Sequence, residues 1–537
     1  MKLNYKGLKD RAAWENADIA LPEFDIEKML AATAEAPQWV HFGAGNIFRA
    51  YIAALSQSLL NMGLTKSGIV AVETFDFEII NKAFKPFDNL ALLIGLGADG
   101  SMEKRVIASI AKSICADDSQ WEMLCDIFRN PSLQMVSFTI TEKGYALYDS
   151  EQNLLPVVAA DIEHGTGAPN HIMSIVASLM YSRFQAGGAP IALVSMDNCS
   201  KNGDVLQGAI ITVAKGLHAK GFVESAFIDY LSDESKVSYP WSMIDKITPY
   251  PDDAVYEELT RLGISDMTPH VTEKETATAP FVNAEMPEYL VLEDSFPNGR
   301  PPLEKVGVYM TDREIVGKAE KMKVTTCLNP LHTALSVFGC LLGFKKVSDM
   351  MNDSEMVALA NRLGYVEGMP VVVDPKIINP PDFLKEVIEK RLPNPFLPDT
   401  PQRIVTETSQ KVAIRFGETI KAYMAHPELD TANLVAIPLA IAGWLRYLLA
   451  VDDEGNEMPL APDPMLPELC EALKDIRLGQ PDTLKEQLSP ILSNKSICGV
   501  DLYEAGLGEK IEDYFRMQIT KPGAVRETLR KYLHQAI

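Results

Sequence analysis

Residues 39–49 read Trp-Val-His-Phe-Gly-Ala-Gly-Asn-Ile-Phe-Arg and carry the clearest indication of the fold. Its first four residues form a short apolar run that stops at Gly43-Ala44-Gly45. Residues 46–60 then carry apolar side chains at helical spacing. A strand, a glycine turn and a helix in this order are the front of a dinucleotide-binding unit. The first glycine permits the tight turn, and the second lets the backbone approach a pyrophosphate at the helix amino terminus.

Two charged residues extend this pattern. Phe48 stands where the usual Gly-x-Gly-x-x-Gly fingerprint has its third glycine, and Arg49 beside it is a candidate cation for the phosphates. Glu73 ends the next apolar run, 68–72, and is placed to accept a hydrogen bond from a ribose 2′-hydroxyl. An ordinary turn with a solvated arginine and glutamate fits the same residues, but the pattern favours the nucleotide site.

The rest of the chain divides into two parts with different secondary-structure patterns. Apolar runs at 90–94, 135–140 and 191–194 alternate with helical stretches such as 172–184, which predicts a doubly wound parallel sheet. From Thr311 onward helical periods dominate and prolines punctuate the connections. We therefore predict an α/β Rossmann-type NAD-binding domain over 1–309 and a mostly α-helical substrate and catalytic domain over 310–537.

Charge and cysteine usage exclude several classes of partner. The chain has 537 residues with 50 Lys and Arg against 73 Asp and Glu, a net charge of −23. Such a surface repels nucleic acid and anionic lipid, so we expect neither as a partner. Seven cysteines without a Cys-x-x-Cys pair, and a start without the apolar core of a signal peptide, predict a cytoplasmic protein. The apolar run 434–451 contains Pro438 and Arg446 and is predicted to be a buried helix.

Missing motifs narrow the chemistry further. The sequence has no His-Glu-x-x-His, no Cys-x-x-Cys and no clustered histidines, which argues against a zinc dehydrogenase and predicts no metal. The one Tyr-x-x-x-Lys, Tyr5 with Lys9, lies upstream of the first strand, where it cannot serve a short-chain dehydrogenase site. The acid–base group of a hydride-transfer enzyme must therefore lie elsewhere.

A candidate for that group begins the second domain. Asn329 and His332 share one face of a helical turn, and Lys323 precedes them in a segment otherwise apolar or hydroxylic. A lysine with a desolvated amine loses proton affinity and can work as a base near neutral pH. Helix capping by Asn329, a core histidine and a surface lysine explain the same residues equally well.

Two polar insertions lie in the first domain. Asp197 and Asn198 directly follow the run 191–194, and polar residues at the carboxyl end of a parallel strand face the ligand crevice. Asp245 is a third polar residue in apolar surroundings. Each of them alone is more often structural than catalytic.

Together these segments resemble the polyol-specific long-chain dehydrogenases, the family of the mannitol dehydrogenases and uronate reductases. The resemblance runs along most of the chain. The motifs that carry it are HFGAGNIFR at 41–49, TITEKGY at 139–145, SMDN with its Asn-Gly at 195–203, DKITP at 245–249, LEDSFPNGRP at 292–301, LNPLH at 328–332, NPFLPDT at 394–400, TSQK at 408–411 and AGWLRYL at 442–448.

The resemblance implies roles for individual residues. Lys323 matches the family's general acid or base, and Asn198 and Asn329 match the asparagines that polarise the reacting oxygen. Residues implied to line the substrate pocket are Asp245, His332, Arg403 and Lys411, with Glu320 beside the lysine. Residues implied to bind NAD are Gly43, Ala44, Gly45, Asn46, Ile47, Arg49, Glu73, Thr141 and Glu142.

One departure from the family pattern concerns the catalytic lysine. In the family the lysine and the asparagine are five positions apart in the sequence, whereas Lys323 and Asn329 are six positions apart. We expect the extra residue within 324–328, where a bulge or a strand-to-helix turn would restore the geometry. Lys321 remains a register alternative.

The resemblance, strongest to the fructuronate-reducing members, implies a metal-independent NAD-dependent oxidoreductase that interconverts D-mannonate and D-fructuronate. Glu73 and Asp76 would repel a 2′-phosphate, which predicts NAD rather than NADP. Tagaturonate reductase and mannitol or another polyol dehydrogenase are the alternatives within the family. A catalytically silent nucleotide-binding protein is the alternative from another class. The partner is a small sugar acid or polyol, and the oligomeric state, monomer or dimer, stays open.

Overall fold

The computed structural model describes residues 1–533, and its first unit is built on a parallel sheet. In spatial order the strands are Ile110–Cys115, Ile69–Glu73, Trp39–Phe42, Met135–Phe138, Ile191–Ser195 and Val237–Ser238. Every adjacent pair is parallel. The prediction of a doubly wound Rossmann-type sheet is confirmed.

Both faces of this sheet are buried, as a parallel sheet requires. Successive side chains of a strand point to opposite faces. Val40 and Phe42 accordingly belong to one apolar cluster, and Trp39 belongs to the other. The helices of the unit are Arg11–Asn16, Ile26–Glu35, Ala53–Asn61, Phe77–Ile79, Trp121–Arg129, Thr141–Tyr145, Pro156–His164, Ile172–Gln185, Asn202–Ala219, Ser225–Ser232 and Asp253–Arg261, and the helix Arg313–Met322 begins in this unit and ends in the next. Shorter π and 3-10 turns are Gly7–Lys9, Phe48–Ile52, Ile80–Phe84, Lys85–Phe87 and Leu303–Val306.

The apolar run 90–94 belongs to a different sheet from the one the alternation predicts. It lies in Ala91–Leu96, which pairs antiparallel with Met102–Ile107 and parallel with Phe281–Glu285. A connection of only a few residues cannot hold a crossover helix, so the two neighbours form a hairpin. Ile19–Ala20 adds the fourth strand of this sheet. Two small sheets comprise Ser242–Asp245 with Tyr289–Glu293 and Tyr309–Thr311, and His270–Val271 with Ala277–Thr278.

The chain forms two compact units that meet in sequence at Gly317 and Lys318, whereas the sequence places the boundary at 309/310. Residues 98–100 group with the second unit. Helices of the second unit are Asn329–Leu341, Val347–Met350, Ser354–Asn361, Pro380–Glu386, Pro401–Ile404, Glu418–Ala425, Ala436–Tyr447, Leu466–Leu473, Ser489–Leu492, Lys495–Cys498, Gly508–Gln518 and Ala524–Leu533. Its π and 3-10 turns are Lys323–Cys327, Arg362–Gly368, Met369–Val371, Val387–Arg391, Thr408–Gln410, Ala413–Gly417, Thr431–Asn433 and Pro481–Thr483.

Most helices predicted for the second unit are present with shifted ends. The stretch 333–344 is helical over Asn329–Leu341, because Pro330 is tolerated in a first helical turn and Gly343 has a φ of +76° just past the end. The predicted helix 524–534 runs over Ala524–Leu533, and His534 lies outside the described residues.

The apolar run 434–451 contains the buried helix Ala436–Tyr447, as predicted. Arg446 is 0% exposed, and its guanidinium donates to the carbonyl oxygens of Gln518, Val451 and Asp452. Among the described residues one helical stretch, Arg313–Leu341, is long and apolar enough to cross a membrane by length and composition alone. Of its most apolar window 83% is buried inside the protein, as in the core helix of a folded domain.

Candidate active site

The glycine loop, residues 43–45, follows the strand Trp39–Phe42 as predicted. Gly43 has a φ of +99°, and a Cβ there would lie 2.1 Å from the carbonyl oxygen of Thr139, so only glycine fits. A Cβ on Gly45 would meet no atom within 4 Å. The backbone at Gly45 is therefore open to a close-lying group such as a pyrophosphate.

His41, just before the loop, is buried and holds the neighbouring strand. Its Nδ1 lies 2.6 Å from Ser137 Oγ and its Nε2 lies 2.8 Å from Thr139 Oγ1. Burial lowers the pKa of His41 to about 3, so the ring is neutral at physiological pH. The imidazole is a structural part of the loop.

Glu73 fastens the glycine loop to the end of the next strand. Its Oε2 accepts from the backbone N–H of Ala44 at 3.0 Å. Its Oε1 accepts from the backbone N–H groups of Thr74, Phe75 and Asp76 at 3.0, 2.9 and 3.3 Å. The carboxylate thus shapes the loop, in addition to the ribose contact expected of it.

Arg49 makes contacts within the protein that the sequence did not predict. The residue is 1% exposed, and its guanidinium donates to the carbonyl oxygen of Ala279 at 2.6 Å and to Asn46 Oδ1 at 2.8 Å. It also lies 5.5 Å from the centre of the Phe84 ring. These contacts tie Arg49 to the start of the helix that follows the glycine loop, and the phosphate contact expected of it stays a prediction.

The surroundings of the loop 73–76 also differ from the sequence expectation. The Asp76 carboxylate accepts from Thr272 Oγ1 at 2.6 Å and is buried. Lys274 Nζ donates to the carbonyl oxygen of Phe75 at 2.5 Å and lies 4.0 Å from the centre of its ring. A cation therefore stands beside this loop, although the sequence from 68 to 81 contains none.

Asp197 organises the carboxyl ends of two strands. Its carboxylate accepts from the backbone N–H groups of Ile140 and Thr141 at 2.9 and 3.0 Å and from the Tyr145 hydroxyl at 2.7 Å. Burial raises the pKa of Asp197, and these hydrogen bonds oppose the rise. Asn198, the next residue, is exposed. Asp197 is thus a structural anchor that presents Thr141 and Asn198 at one edge of the sheet.

Asp245 ends the strand Ser242–Asp245 and is buried. Tyr289 stands opposite it on the neighbouring strand. Lys246 Nζ pairs with Glu288 Oε2 at 2.8 Å and lies 5.7 Å from the centre of the Tyr51 ring. Burial raises the pKa of Tyr51 well above its usual value, and the charges of Glu288 and Asp245 add to the rise. Asp245 thus belongs to a buried polar group of the first unit.

Lys323 begins a π turn, Lys323–Cys327, which we call the lysine turn. The backbone N–H of Leu328 donates to the carbonyl oxygen of Lys323 at 3.1 Å. A π turn holds one residue more than an α turn, so it accommodates the extra residue expected between 324 and 328. Lys323 is 6% exposed, whereas the Lys321 side chain is 50% exposed and pairs with Glu418 Oε2 at 3.3 Å. Burial therefore favours Lys323 over Lys321 as the acid–base group.

Asn329 and His332 lie in the first turn of the helix Asn329–Leu341, both partly exposed. No side-chain hydrogen bond caps the start of this helix. Two of the structural alternatives are therefore not observed: Asn329 does not cap the helix with its side chain, and Lys323 is not a surface lysine. The Asn329 carbonyl oxygen accepts from Thr333 Oγ1 at 3.1 Å.

Arg403 and Lys411 differ in the groups that contact their charges. The Arg403 side chain is 64% exposed and its guanidinium pairs with Asp399. Lys411 Nζ donates to the carbonyl oxygens of Ile404, at 3.3 Å, and Thr406. Burial lowers the pKa of Lys411, and the nearby charge of Arg415 lowers it further. No motif in the sequence marks Arg415 as a functional residue.

Each unit holds its own group of candidate residues. The first holds the glycine loop, Glu73, Thr141 and Asn198 at the carboxyl ends of adjacent parallel strands, together with Asp245. Glu142 is exposed beside Thr141, and Ile47 lies in the helix after the loop. The second unit holds Lys323, Asn329, His332, Arg403 and Lys411. In the part of the chain that the structure describes, no group of three or more His, Cys, Asp or Glu side chains is arranged to hold a metal ion.

Comparison with known families assigns both units. Residues 37–305 match the mannitol dehydrogenase Rossmann domain, and residues 316–516 match the mannitol dehydrogenase C-terminal domain. This chain belongs to the mannitol dehydrogenase family. The resemblance read from the motifs is confirmed, and the chain is a dehydrogenase.

Individual members of the family resemble the chain to different degrees. D-Mannonate oxidoreductase of Thermotoga maritima is 54% identical over 99% of both chains. Mannitol 2-dehydrogenase of Pyrenophora tritici-repentis is 31% identical over 80% of this chain and 72% of its own. A solved structure of Pseudomonas fluorescens mannitol 2-dehydrogenase with NAD and D-mannitol covers 100% of both chains at 26% identity and a TM-score of 0.71. Substrate-free D-sorbitol dehydrogenase covers 96% of this chain and 98% of its own at 25% identity and a TM-score of 0.78.

Proposed function

We propose that the protein interconverts D-mannonate and D-fructuronate with NAD, running physiologically toward reduction. The observation that carries this proposal is the 54% identity with the Thermotoga maritima D-mannonate oxidoreductase over 99% of both chains. The mannitol 2-dehydrogenases are far less similar, at 28% to 31% identity. A sugar acid is therefore a better supported substrate than a neutral polyol.

The glycine loop supports a dinucleotide as the cofactor. Gly43 makes a turn that only glycine can make, and Gly45 leaves the backbone open on the side where a Cβ would stand. Glu73 holds the loop and keeps a carboxylate where a 2′-phosphate would be repelled. The bound NAD supplies the acceptor or donor of the hydride at the reacting carbon. The relative solved with NAD supports the same cofactor.

Lys323 is proposed as the general acid and base. As base, its amine takes the hydroxyl proton of mannonate, and as acid its ammonium returns that proton to the ketone oxygen of fructuronate. A lysine held in a buried turn is suited to this because desolvation disfavours its charged form. Its burial also weighs against a catalytically silent protein.

Asn198, Asn329 and His332 are proposed to surround the reacting oxygen. The two amides donate hydrogen bonds to the developing alkoxide, and each donor of this kind contributes about 2.7–4 kcal/mol in comparable sites. His332, one turn after Asn329, orients the hydroxyl. We propose that this reaction proceeds without a metal, since the lysine ammonium polarises the ketone. We also propose that the enzyme is cytoplasmic, with a small sugar acid as its partner.

Initial rates of NADH consumption test the proposal with a panel of D-fructuronate, D-tagaturonate, D-fructose and D-sorbose. We expect D-fructuronate to give the highest kcat/KM. A higher value with D-tagaturonate assigns the enzyme to tagaturonate reduction. A higher value with a neutral ketose assigns it to polyol metabolism. No turnover with any of them, together with measurable NADH binding, supports the silent nucleotide-binding protein.

A further inference from the structure

Arg415 is a partly buried cation that none of the roles described above uses. It lies in the π turn Ala413–Gly417, which we call the arginine turn. Its Nη1 donates to Thr333 Oγ1 at 2.5 Å. Among residues 1–533 no carboxylate lies within 4.0 Å of its guanidinium. Burial lowers the pKa of Arg415 to about 10, so the group remains charged at neutral pH.

Lys411 adds a second cation near Arg415. Backbone carbonyl groups meet its ammonium, and no carboxylate of the described residues pairs with it. Burial lowers the pKa of Lys411 and the charge of Arg415 lowers it further, whereas the charges of Glu407 and Asp463 oppose this shift. Elsewhere in the same unit a buried carboxylate pairs with such a cation, since Glu367 Oε1 lies 3.1 Å from Arg362 Nε. Arg415 has no such carboxylate among the described residues, although the chain has 73 acidic residues, so its charge is open to an anion from outside the protein.

The arginine turn lies beside the proposed catalytic groups of the second unit. It packs against the lysine turn and against the helix Asn329–Leu341. Thr333, the partner of Arg415, follows His332 directly and stands one turn beyond Asn329 on the same face. Four residues advance about 6 Å along the helix axis. Arg415 thus contacts this helix four residues beyond Asn329, close to the proposed reacting groups of the same unit.

Arg403 is the other arginine that the resemblance assigns to the substrate pocket. Asp399 already neutralises its guanidinium, and most of its side chain is exposed to solvent. Screening by solvent and the paired carboxylate weaken its attraction for a second anion. Arg403 is thus a poor source of selectivity for acids.

We propose that Arg415, supported by Lys411, binds the carboxylate of the sugar acid and makes the enzyme selective for acids over neutral ketoses. A planar guanidinium matches a carboxylate in bidentate geometry. A neutral ketose has no charge at that end and gains nothing from the contact. This inference rests on the proposed function. It names Arg415 as the residue that gives the enzyme its preference for an acid.

The test compares Arg415→Met with wild type in steady-state kinetics. Charge-assisted hydrogen bonds are worth enough to change affinity about tenfold to a hundredfold, so we expect KM for D-fructuronate to rise by that factor. The kcat/KM for D-fructose should change less than about threefold, and Arg415→Lys should recover part of the loss. Equal losses with the acid and the neutral ketose would overturn the inference.

Two control variants separate binding from structure. Thr333→Val removes the hydrogen bond to Arg415 and keeps the cation, so selectivity for the acid should persist. If Thr333→Val reproduces the effect of Arg415→Met, the arginine is structural and the inference is wrong. Lys421→Met removes an exposed cation paired with Glu418 and should leave both substrates unaffected.

The wild-type panel distinguishes failure of this inference from failure of the proposed function. If wild type prefers another hexulosonate, the proposed substrate is wrong, and the Arg415 variants are then compared on that acid and its neutral counterpart. If Arg415→Met loses preference for that acid, the inference stands. If wild type reduces only neutral ketoses, both are wrong.

Discussion

The carbonyl oxygen of Lys323 accepts from the backbone N–H of Leu328 at 3.1 Å, across a turn one residue wider than that of an α-helix. The wide turn brings the chain from a buried lysine to Asn329 at the start of the next helix. It also leaves Lys321 outside, paired with Glu418. The chemistry we propose depends on this local widening, because it sets how the buried Lys323 is placed relative to Asn329.

The first prediction concerns those two lysines. Lys323→Ala should lower kcat by about 10²–10⁴-fold, the usual cost of losing a general acid or base. Lys321→Ala, the matched control, should be mild, because it removes only an exposed ion pair. Fluorescence titration should show nearly unchanged NADH affinity for both variants. An essential Lys321 with a dispensable Lys323 would show that our register is wrong.

The second prediction concerns the choice between NAD and NADP. Glu73→Lys should shift preference toward NADPH, since it replaces a negative charge by a positive one near the ribose. The same change removes a carboxylate that accepts from four backbone N–H groups, so the first unit should lose at least about 2 kcal/mol of stability.

Glu73→Gln separates the two effects of that change. It removes the charge but keeps an oxygen acceptor. The preference for NADH over NADPH should therefore fall, while the free energy of unfolding should change less than in Glu73→Lys. Rates with NADH and NADPH and thermal unfolding measure both. A wild-type enzyme already faster with NADPH would contradict the assignment of NAD.

The third prediction concerns Arg403. Because Asp399 already neutralises its guanidinium, Arg403→Leu should affect D-fructuronate and D-fructose to a similar extent. The resemblance implies only that Arg403 lines the substrate pocket, and such a place does not require it to select an acid. Michaelis constants for both substrates check it. A selective loss of the acid would return the role to Arg403.

The fourth prediction concerns acid stability. The pKa of His41 is about 3 in the folded protein, well below its usual value of 6.5. Between these values the unfolded state binds the proton and the folded state does not, so stability is present above pH 6.5 and is lost as the pH falls toward 3. The slope reaches about 1.4 kcal/mol per pH unit.

His41→Gln tests this dependence. Denaturant unfolding of the variant should give a flatter pH dependence below pH 6.5 than that of wild type, even if the variant is less stable throughout. An unchanged slope would show that His41 is not held neutral.

The sequence was sufficient where a local rule fixes the structure. The strand, the glycine turn and the helix around 39–60 follow from apolar periodicity and from a φ that Gly43 alone allows. Ala436–Tyr447 follows from its length and composition. The cluster at Lys323, Asn329 and His332 was visible because polar residues interrupt an apolar segment.

Tertiary partners decided what the sequence left unresolved. The sequence around Arg49 does not indicate that its guanidinium donates to the carbonyl oxygen of Ala279, which lies far away in the sequence. Lys274 reaches Phe75 in the same way. Arg415 carries no local motif, and only its missing carboxylate partner in the described residues distinguishes it. Such roles depend on partners, which periodicity does not report.

The most direct test of the central claim is the ratio of kcat/KM for D-fructuronate to that for D-fructose, measured with NADH under identical conditions. We expect a ratio well above one, which falls toward one in Arg415→Met. A wild-type ratio at or below one would contradict the assignment to a sugar acid.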